Sequence, residues 1–366
     1  HSLLISLLFS ILILSMFPAF DCSKRPDPNK RRFTSFAVDD YIEEVKEGFK
    51  DKQLAEIYEN TFPNTLDTTV FYDAANLDTF IITGDINAMW LRDSSFQLIP
   101  YLSFAPKDSR LSDMIIGTIN RQVKLILSDP YANAFNKNKE GTEHSDDETY
   151  KIVNGKKVNA LNNKQVFERK YELDSLAAPL FMHSQYYNIM KNHIKEGSAK
   201  DRSSFINAQY VKMLETIVKA IKEQSIGSED EDEGQGWTYF FARTSKEAYE
   251  TLHQGRGAPV RTCGLVRSSF RPSDDASLLP FNIAENAFLV SSLRKTSSML
   301  KDHIANLKSN LQLSALSIET LKSIKDKISE ASDLVHQAIL INGILLKSSD
   351  DTISAKNSYF AYEVDC

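Results

Sequence analysis

Three short stretches of the chain concentrate carboxylates, arginines and aromatic rings, and none of them has the spacing of an amphipathic element. The first, Thr83-Gly-Asp-Ile-Asn-Ala-Met-Trp-Leu-Arg-Asp-Ser94, holds Asp85, Trp90, Arg92 and Asp93 within nine residues, just after the apolar run Phe80 to Ile82. The second is Glu168-Arg-Lys-Tyr-Glu-Leu-Asp-Ser175, and the third is Ser269-Phe-Arg-Pro-Ser-Asp-Asp-Ala276. Carboxylates accept from hydroxyls, a guanidinium donates through a planar fork, and tryptophan offers a flat apolar face to a sugar ring. That inventory fits a carbohydrate pocket better than a phosphate or metal pocket. Hydrolysis of a glycoside needs two carboxyl groups, one to protonate the departing oxygen and one to handle the water or the anomeric carbon. A carboxyl placed beside another keeps its proton to higher pH, and the adjacent Asp274 and Asp275 allow such a pair.

A single cluster of this kind is more simply a salt-bridged cap that holds loops together. Three of one type, each at the mouth of a predicted helix, favour a pocket. In the third, Pro272 lacks a backbone donor and favours a helix start, so Ser273 is expected at the N-cap with Asp274 and Asp275 in the first turn. Other chemistries lack their motifs: there is no HExxH, Walker loop, GxSxG or Cys-x-x-Cys. Gly255 and Gly257 begin a GxG with no third glycine and no apolar strand before it, which is a weak sign of dinucleotide binding.

These clusters must be positioned by the rest of the 366 residues, whose composition is that of a globular protein: 42% hydrophobic and 25% charged. A net charge of −6 with no basic block argues against nucleic acid as a partner. Only 13 glycines and 11 prolines favour helices over a β-sandwich. Apolar residues at steps of three and four predict helices over Phe36–Tyr58 (Val38, Tyr41, Ile42, Val45, Phe49, Leu54, Ile57), Met114–Leu127 (Ile115, Ile119, Val123, Ile126) and Ser204–Ile221. The longest such pattern runs from Leu300 through Leu307 and Ile318 to Ile328, and a break near Ser309 favours bundle helices over a coiled coil. Asn136 to Asn163 reads as an exposed polar loop. Ser228 to Gln235 is acidic, but a calcium loop centred on Gly234 would need an acid where Phe240 stands, so it reads as a solvated loop.

Residues 1–22 form a signal peptide or signal anchor, because Leu3 to Phe20 is almost wholly apolar. The basic residues Lys24, Arg25, Lys30, Arg31 and Arg32 follow this run instead of preceding it, which leaves orientation open but favours secretion or the secretory-pathway lumen over a Golgi membrane anchor. A start at His1 leads us to expect that further N-terminal residues precede it. Cys22, Cys263 and Cys366 are odd in number at unrelated spacings, so no disulfide framework or zinc site is expected, and no Asn-x-Ser/Thr sequon occurs. Residues 23–366 read as one domain.

The chemical stretches resemble glycoside hydrolase family 125, the exo-α-1,6-mannosidases. The likeness is carried by TGDINAMWLRDSS, NRQVKLILSDPYANAFN (Asn120 to Asn136), ERKYELDSL, HQGRGAPV (His253 to Val260), SSFRPSDDA and YFAYEVD (Tyr359 to Asp365), in the family's order over about Val45 to Asp365. It implies an all-α (α/α)6 barrel, removal of terminal α-1,6-linked mannose from α-mannoside glycans, and an inverting mechanism without metal or cofactor. Asp274 takes the position of the family's general acid. Trp90, Arg92 and Asp93 would line the terminal mannose site, with Asp174, Arg271 and Asp275 shaping it. In the family a later His-Glu segment supplies the general base, whereas here Cys366 follows Asp365. The expectation is therefore a barrel lacking its C-terminal helices, a chain without the base and inactive alone, or else a non-catalytic mannose-binding remnant or unstable fragment. His144 beside Glu143 lies too early, in a polar loop, to replace the base. A membrane enters only if the leader is retained.

Overall fold

The computed structural model describes residues 24–153, 156–191, 203, 205–228, 239–309, 316–347 and 357–366. The apolar leader, Cys22, the acidic run beyond Ser228 and residues 310–315 of the longest periodic segment lie outside the described residues. The chain divides into two compact units, His1–Val70 and Phe71–Cys366.

In the first unit the predicted helix over Phe36–Tyr58 is two helices, α1 (Phe36–Gly48) and α2 (Lys52–Thr61). Phe49 turns extended after Gly48, and the Asp51 side chain accepts from the Gln53 N–H to cap the restart. The apolar period runs through this break, so pattern alone joins the two pieces. Val38 and Ile42 are buried, whereas Tyr41, Leu54 and Ile57 are exposed. Arg25 ties the unit together through Asp67 at 2.6 Å and Asp39 at 2.7 Å.

Helices carry the architecture of the second unit, as the all-α (α/α)6 class requires. They are α3 (Leu91–Leu98), α4 (Ser109–Ser128), α5 (Asp174–Met190), α6 (Ala208–Gln224), α7 (Ile283–Ser309) and α8 (Ile318–Asn342). Side chains close their first turns: Asp108 accepts from the Arg110 and Leu111 amides, Asn207 from Gln209 and Tyr210, and Ser317 from Thr320. Helix α6 therefore starts after Asn207 and not at Ser204. Helix α5 is buried around nearly its whole circumference, which fits its lack of a polar face, and it packs against α3 and α7. The long periodic segment resolves into α7 and α8, which pack on each other.

Short strands stitch the loops at the helix ends. β1 (Met89–Trp90), β2 (Ala134–Phe135) and β5 (Val166–Glu168) form one antiparallel sheet in the order β1-β2-β5, with Trp90 opposite Ala134 and Ala134 opposite Glu168. The segment read as an exposed loop instead holds a hairpin, β3 (Glu148–Val153) and β4 (Lys156–Asn159), extended by β6 (Phe240–Ala242). Its polar composition hid this. Asp147 and Thr149 are polar yet buried, because Arg243 and Arg169 reach in to pair with them. Finally β7 (Phe281–Asn282) pairs with β8 (Glu363–Val364), and a disulfide joins Cys263 to Cys366 across 103 residues. The cysteine spacings gave no disulfide framework, and counting them cannot reveal so distant a partner.

Candidate active site

The first two clusters meet at the mouths of α3 and α5. Trp90 ends β1, and the chain turns into α3 with the Leu91 N–H bonded to the Asn133 carbonyl. Arg92 and Asp93 therefore occupy the first helical turn, where an acid is favoured by the helix dipole. From there the Arg92 guanidinium reaches Glu172 at 2.9 Å, Asp174 at 3.4 Å and Asp93 at 3.4 Å. Asp174 opens α5 in the same way. Trp90 is only 7% exposed and packs edge-on to Phe167 in a cluster with Ala88 and Ala134. Its ring packs into that cluster and leaves only a small part of its surface open.

In the second cluster β5 ends at Glu168, and the side chains from there to Glu172 divide into two sets by their contacts. One set sinks into the protein. Arg169 bonds Asp129 and Thr149, each at 2.9 Å, and Tyr171 packs against Tyr131 and Tyr239. The other set, Glu168, Lys170 and Glu172, converges on the site. Asn133 organises it: its amide nitrogen donates to Glu168 at 3.0 Å and to Glu172 at 3.3 Å, while its oxygen accepts from the Lys170 N–H at 3.1 Å.

The third cluster is not a helix start. Phe270 bridges Ala276 as a β-pair, the Arg271 N–H donates to the Asp275 carbonyl at 2.8 Å, and the Asp274 N–H donates to the Arg271 carbonyl at 2.9 Å. This is a tight hairpin with Asp274 in the left-handed region at φ 65°, a place normally taken by glycine or asparagine at the end of such loops. The hairpin is laid onto the second cluster. The Tyr171 carbonyl accepts from the Ser269 and Phe270 amides, and the buried Lys170 ammonium donates to the Asp274 carbonyl at 2.9 Å. The Asp274 carboxyl lies beside that of Glu172, near enough to raise its pKa.

Asp275 is not the acid's proton-holding neighbour. It turns to Arg271 and Ser273; burial opposes ionisation, but these two donors hold its pKa below the ordinary aspartate value. Arg271 in turn donates to Glu363 of the closing YFAYEVD stretch and to Asp275. The structure therefore brings Arg92, Asp93, Asp174 and Asp274 together, and sets Arg271 and Asp275 in a separate ion-pair group on the same hairpin. Glu172, Asn133, Lys170 and Glu363 were missed as site residues, although all four lie inside the motifs quoted above.

The electrostatics are those of too many acids around one cation. Burial raises the Glu172 pKa well above the ordinary glutamate range, and Asp174 and Asp274 raise it further against the pull of Arg92. Asp174 is likewise raised, by burial first and then by Asp93, against Arg92. Behind them Glu285 of α7 accepts from the Leu173 N–H at 3.1 Å and the Ser268 hydroxyl at 2.6 Å, and burial with Asp174 pushes it up to about 8. A carboxyl raised from 4.5 to about 8 on folding binds more protons folded than unfolded. Its stabilising contribution is complete below pH 4.5 and is lost as pH rises to 8. Glu285→Gln is expected to flatten the loss of stability between pH 5 and pH 8 by roughly 2–4 kcal/mol, from about 1.36 kcal/mol per pKa unit less the part carried by Asp174. Urea unfolding at the two pH values checks this, and an unchanged pH slope in the variant refutes it. Among the described residues no group of three or more His, Cys, Asp or Glu is arranged to hold a metal ion.

The description of the metal-independent alpha-mannosidases (GH125) matches residues 51–366. The chain is 40% identical over 288 residues to the meiotically up-regulated gene 157 protein of Schizosaccharomyces pombe, covering 76% of this chain and 53% of that protein. It thus spans about half the length of that relative. A solved structure from Streptococcus pneumoniae superposes with a TM-score of 0.70 at 27% identity, over 91% of this chain and 68% of that one. That structure is described as a metal-independent alpha mannosidase in a non-productive complex with α-1,6-mannobiose. The chain belongs to the metal-independent alpha-mannosidase family, GH125.

Proposed function

We propose that this protein is an exo-acting α-mannosidase that removes terminal α-1,6-linked mannose from α-mannoside glycans by metal-independent inverting hydrolysis, with Asp274 as general acid. The observation that carries this reading is the contact between the Asp274 side chain and the buried Glu172, within the group gathered by Arg92. Asp274 gives its proton to the glycosidic oxygen. Water attacks the anomeric carbon from the opposite face and loses a proton to the base, so the released mannose is the β-anomer. The sugar gains positive charge in the transition state, and Asp93 and Asp174 sit where that charge is stabilised. Inversion requires the base to stand roughly 6.5–9.5 Å from the acid.

In this reading the base is the glutamate of the family's His-Glu segment, which no residue after Asp365 supplies, so residues 1–366 alone bind mannosides without turning them over. The alternative is a mannose-binding protein that does not turn its ligand over. The two separate when the reading frame beyond Cys366 is expressed with the rest: restored release of β-mannose from an α-1,6-mannobioside, followed by NMR, supports the enzyme. Robust hydrolysis by the 366 residues alone overturns the placement of the base. The Cys263–Cys366 disulfide supports the secretory-pathway lumen as the compartment. Among the described residues no helix is long and apolar enough to cross a membrane, and a Golgi anchor would rest on residues 1–22.

A further inference from the structure

The turn that carries Asp274 does not hold its own shape. Pro272, Ser273 and Asp274 are exposed, and Asp274 is a non-glycine residue at φ 65°. A backbone in that region persists only where the surroundings impose it, and a lone hairpin is marginal in water. Lys170 and the Tyr171 carbonyl grip the inner side. The outer side is gripped by Glu363, 92 residues after Arg271.

The Glu363 side chain is only 5% exposed. Its two oxygens accept from Nε and Nη2 of Arg271, the latter at 2.9 Å, and Oε2 also accepts from the Leu279 N–H at 3.2 Å. One carboxylate thus bridges the chain entering the turn and the chain leaving it. Arg271 passes the constraint on: its carbonyl accepts from the Asp274 N–H at 2.9 Å, and its N–H donates to the Asp275 carbonyl at 2.8 Å. Asp275 pairs with Arg271 as well, but it belongs to the same turn and moves with it, so Glu363 is the anchor outside. Glu363 is itself fixed. It pairs with Asn282 across β7 and β8, and the Tyr362 carbonyl accepts from the Ile283 N–H at 2.9 Å where α7 begins. The Ala361 N–H donates to the Gly343 carbonyl at 2.9 Å, and beyond Glu363 the disulfide ties Cys366 to Cys263.

We infer that Glu363 is a positioning residue for the general acid: through Arg271 it sets where the Asp274 carboxyl points, and the Cys263–Cys366 disulfide holds Glu363 in register. The inference rests on the reading of Asp274 as proton donor. A bidentate carboxylate–guanidinium pair fixes orientation as well as distance, and misplacing a reacting group by about 1 Å can cost about 10²-fold in rate.

Amide hydrogen exchange of the 366-residue chain tests the grip. In Glu363→Gln the Asp274 and Ala276 amides should exchange about tenfold faster while those of α4 stay unchanged. Cys366→Ser leaves the Arg271 pair in place and should act in the same direction with a smaller effect, so the outcome does not hang on one variant. No change in the turn, or faster exchange in α4 as well, overturns the inference. Turnover by the form expressed with the reading frame beyond Cys366 tests the consequence. Glu363→Gln should lower kcat on an α-1,6-mannobioside by about 10²-fold with KM nearly unchanged, and by less than about threefold on an aryl mannoside whose leaving group needs no proton. Glu363→Asp, which keeps the charge, should recover part of the rate. Equal losses on both substrates mark a merely structural role and overturn the inference. Asp274→Asn in the same assay separates the two failures: if it shows the contrast between substrates and Glu363→Gln does not, the positioning role alone falls. If Asp274→Asn shows no contrast, or the unsubstituted form has no turnover, the reading of the acid falls and the inference with it.

Discussion

Replacing Asp274 with asparagine, in a form of the protein that turns over mannosides, is expected to lower kcat on an α-1,6-mannobioside by about 10²–10⁴-fold, the usual contribution of a positioned proton donor. Folding should be almost untouched. Asparagine matches aspartate in shape and tolerates the left-handed backbone that this position adopts at φ 65°. Its carbonyl oxygen continues to accept from Lys170, because that bond is made to the main chain. The loss should be much smaller on an aryl mannoside whose leaving group departs without a proton, since the need for acid assistance falls with leaving-group basicity. A variant with full rate on the mannobioside, or one whose losses on the two substrates are equal, would show that Asp274 is not the proton donor. Asp274→Gly provides the contrast: the backbone strain is relieved, the carboxyl is gone, and the activity loss should persist with no loss of stability.

Why such a residue sits in a left-handed turn also explains what could be seen in the sequence. Residues Arg271–Asp275 carry Pro, Ser and two acids, the marks of a helix start. A type I turn shares its first right-handed residues with the first turn of a helix, so local chemistry cannot separate them. The decision is tertiary: the Tyr171 carbonyl accepts from the Ser269 and Phe270 amides and draws the segment into a hairpin. The amphipathic helices were legible because burial alone sets their period, and α4 (Ser109–Ser128) contains the whole predicted span, starting about a turn and a half before it and ending one residue after it. Phe36–Tyr58 was read as one helix because Gly48 and Asp51 interrupt the backbone without interrupting the apolar period. In the site, Arg92, Asp93 and Asp174 stood out by type. Glu172 did not, although it lies two residues before Asp174 and meets the same guanidinium. Arg271 pairs with Asp275 beside it and also with Glu363, which lies 92 residues away and so left no mark in the spacing. Charge clusters announce that a site exists, while the pairing within it depends on contacts that spacing does not record.

Arg92→Met is expected to be the most destabilising of the surface-reaching substitutions in the site. Glu172 has no exposed side-chain surface and Asp174 is nearly as buried, and Arg92 is the cation within 3.4 Å of both. Removing one partner of a buried ion pair costs about 3–5 kcal/mol, because the charge left behind has lost both water and its counter-ion. Here the orphaned carboxyls have a way out, since their pKa values are already raised and would rise further without the guanidinium. They would keep their protons, and the cost would depend on pH. In the variant these two groups bind more protons folded than unfolded over a wider span above the ordinary carboxyl range, so stability falls more steeply as pH rises. The penalty should be smallest near pH 5 and largest near pH 8. Adding Glu172→Gln to Arg92→Met should recover a large part of the loss at pH 8 and little at pH 5, since an amide can occupy the site without charge. Mannoside binding should stay weak in the double variant, because the donor fork is still missing. Thermal unfolding of the single and double variants at both pH values, with sugar titration alongside, measures each of these effects. A penalty equal at pH 5 and pH 8, or a double variant no more stable than the single one, would mean that Arg92 does not serve as counter-ion to the buried acids.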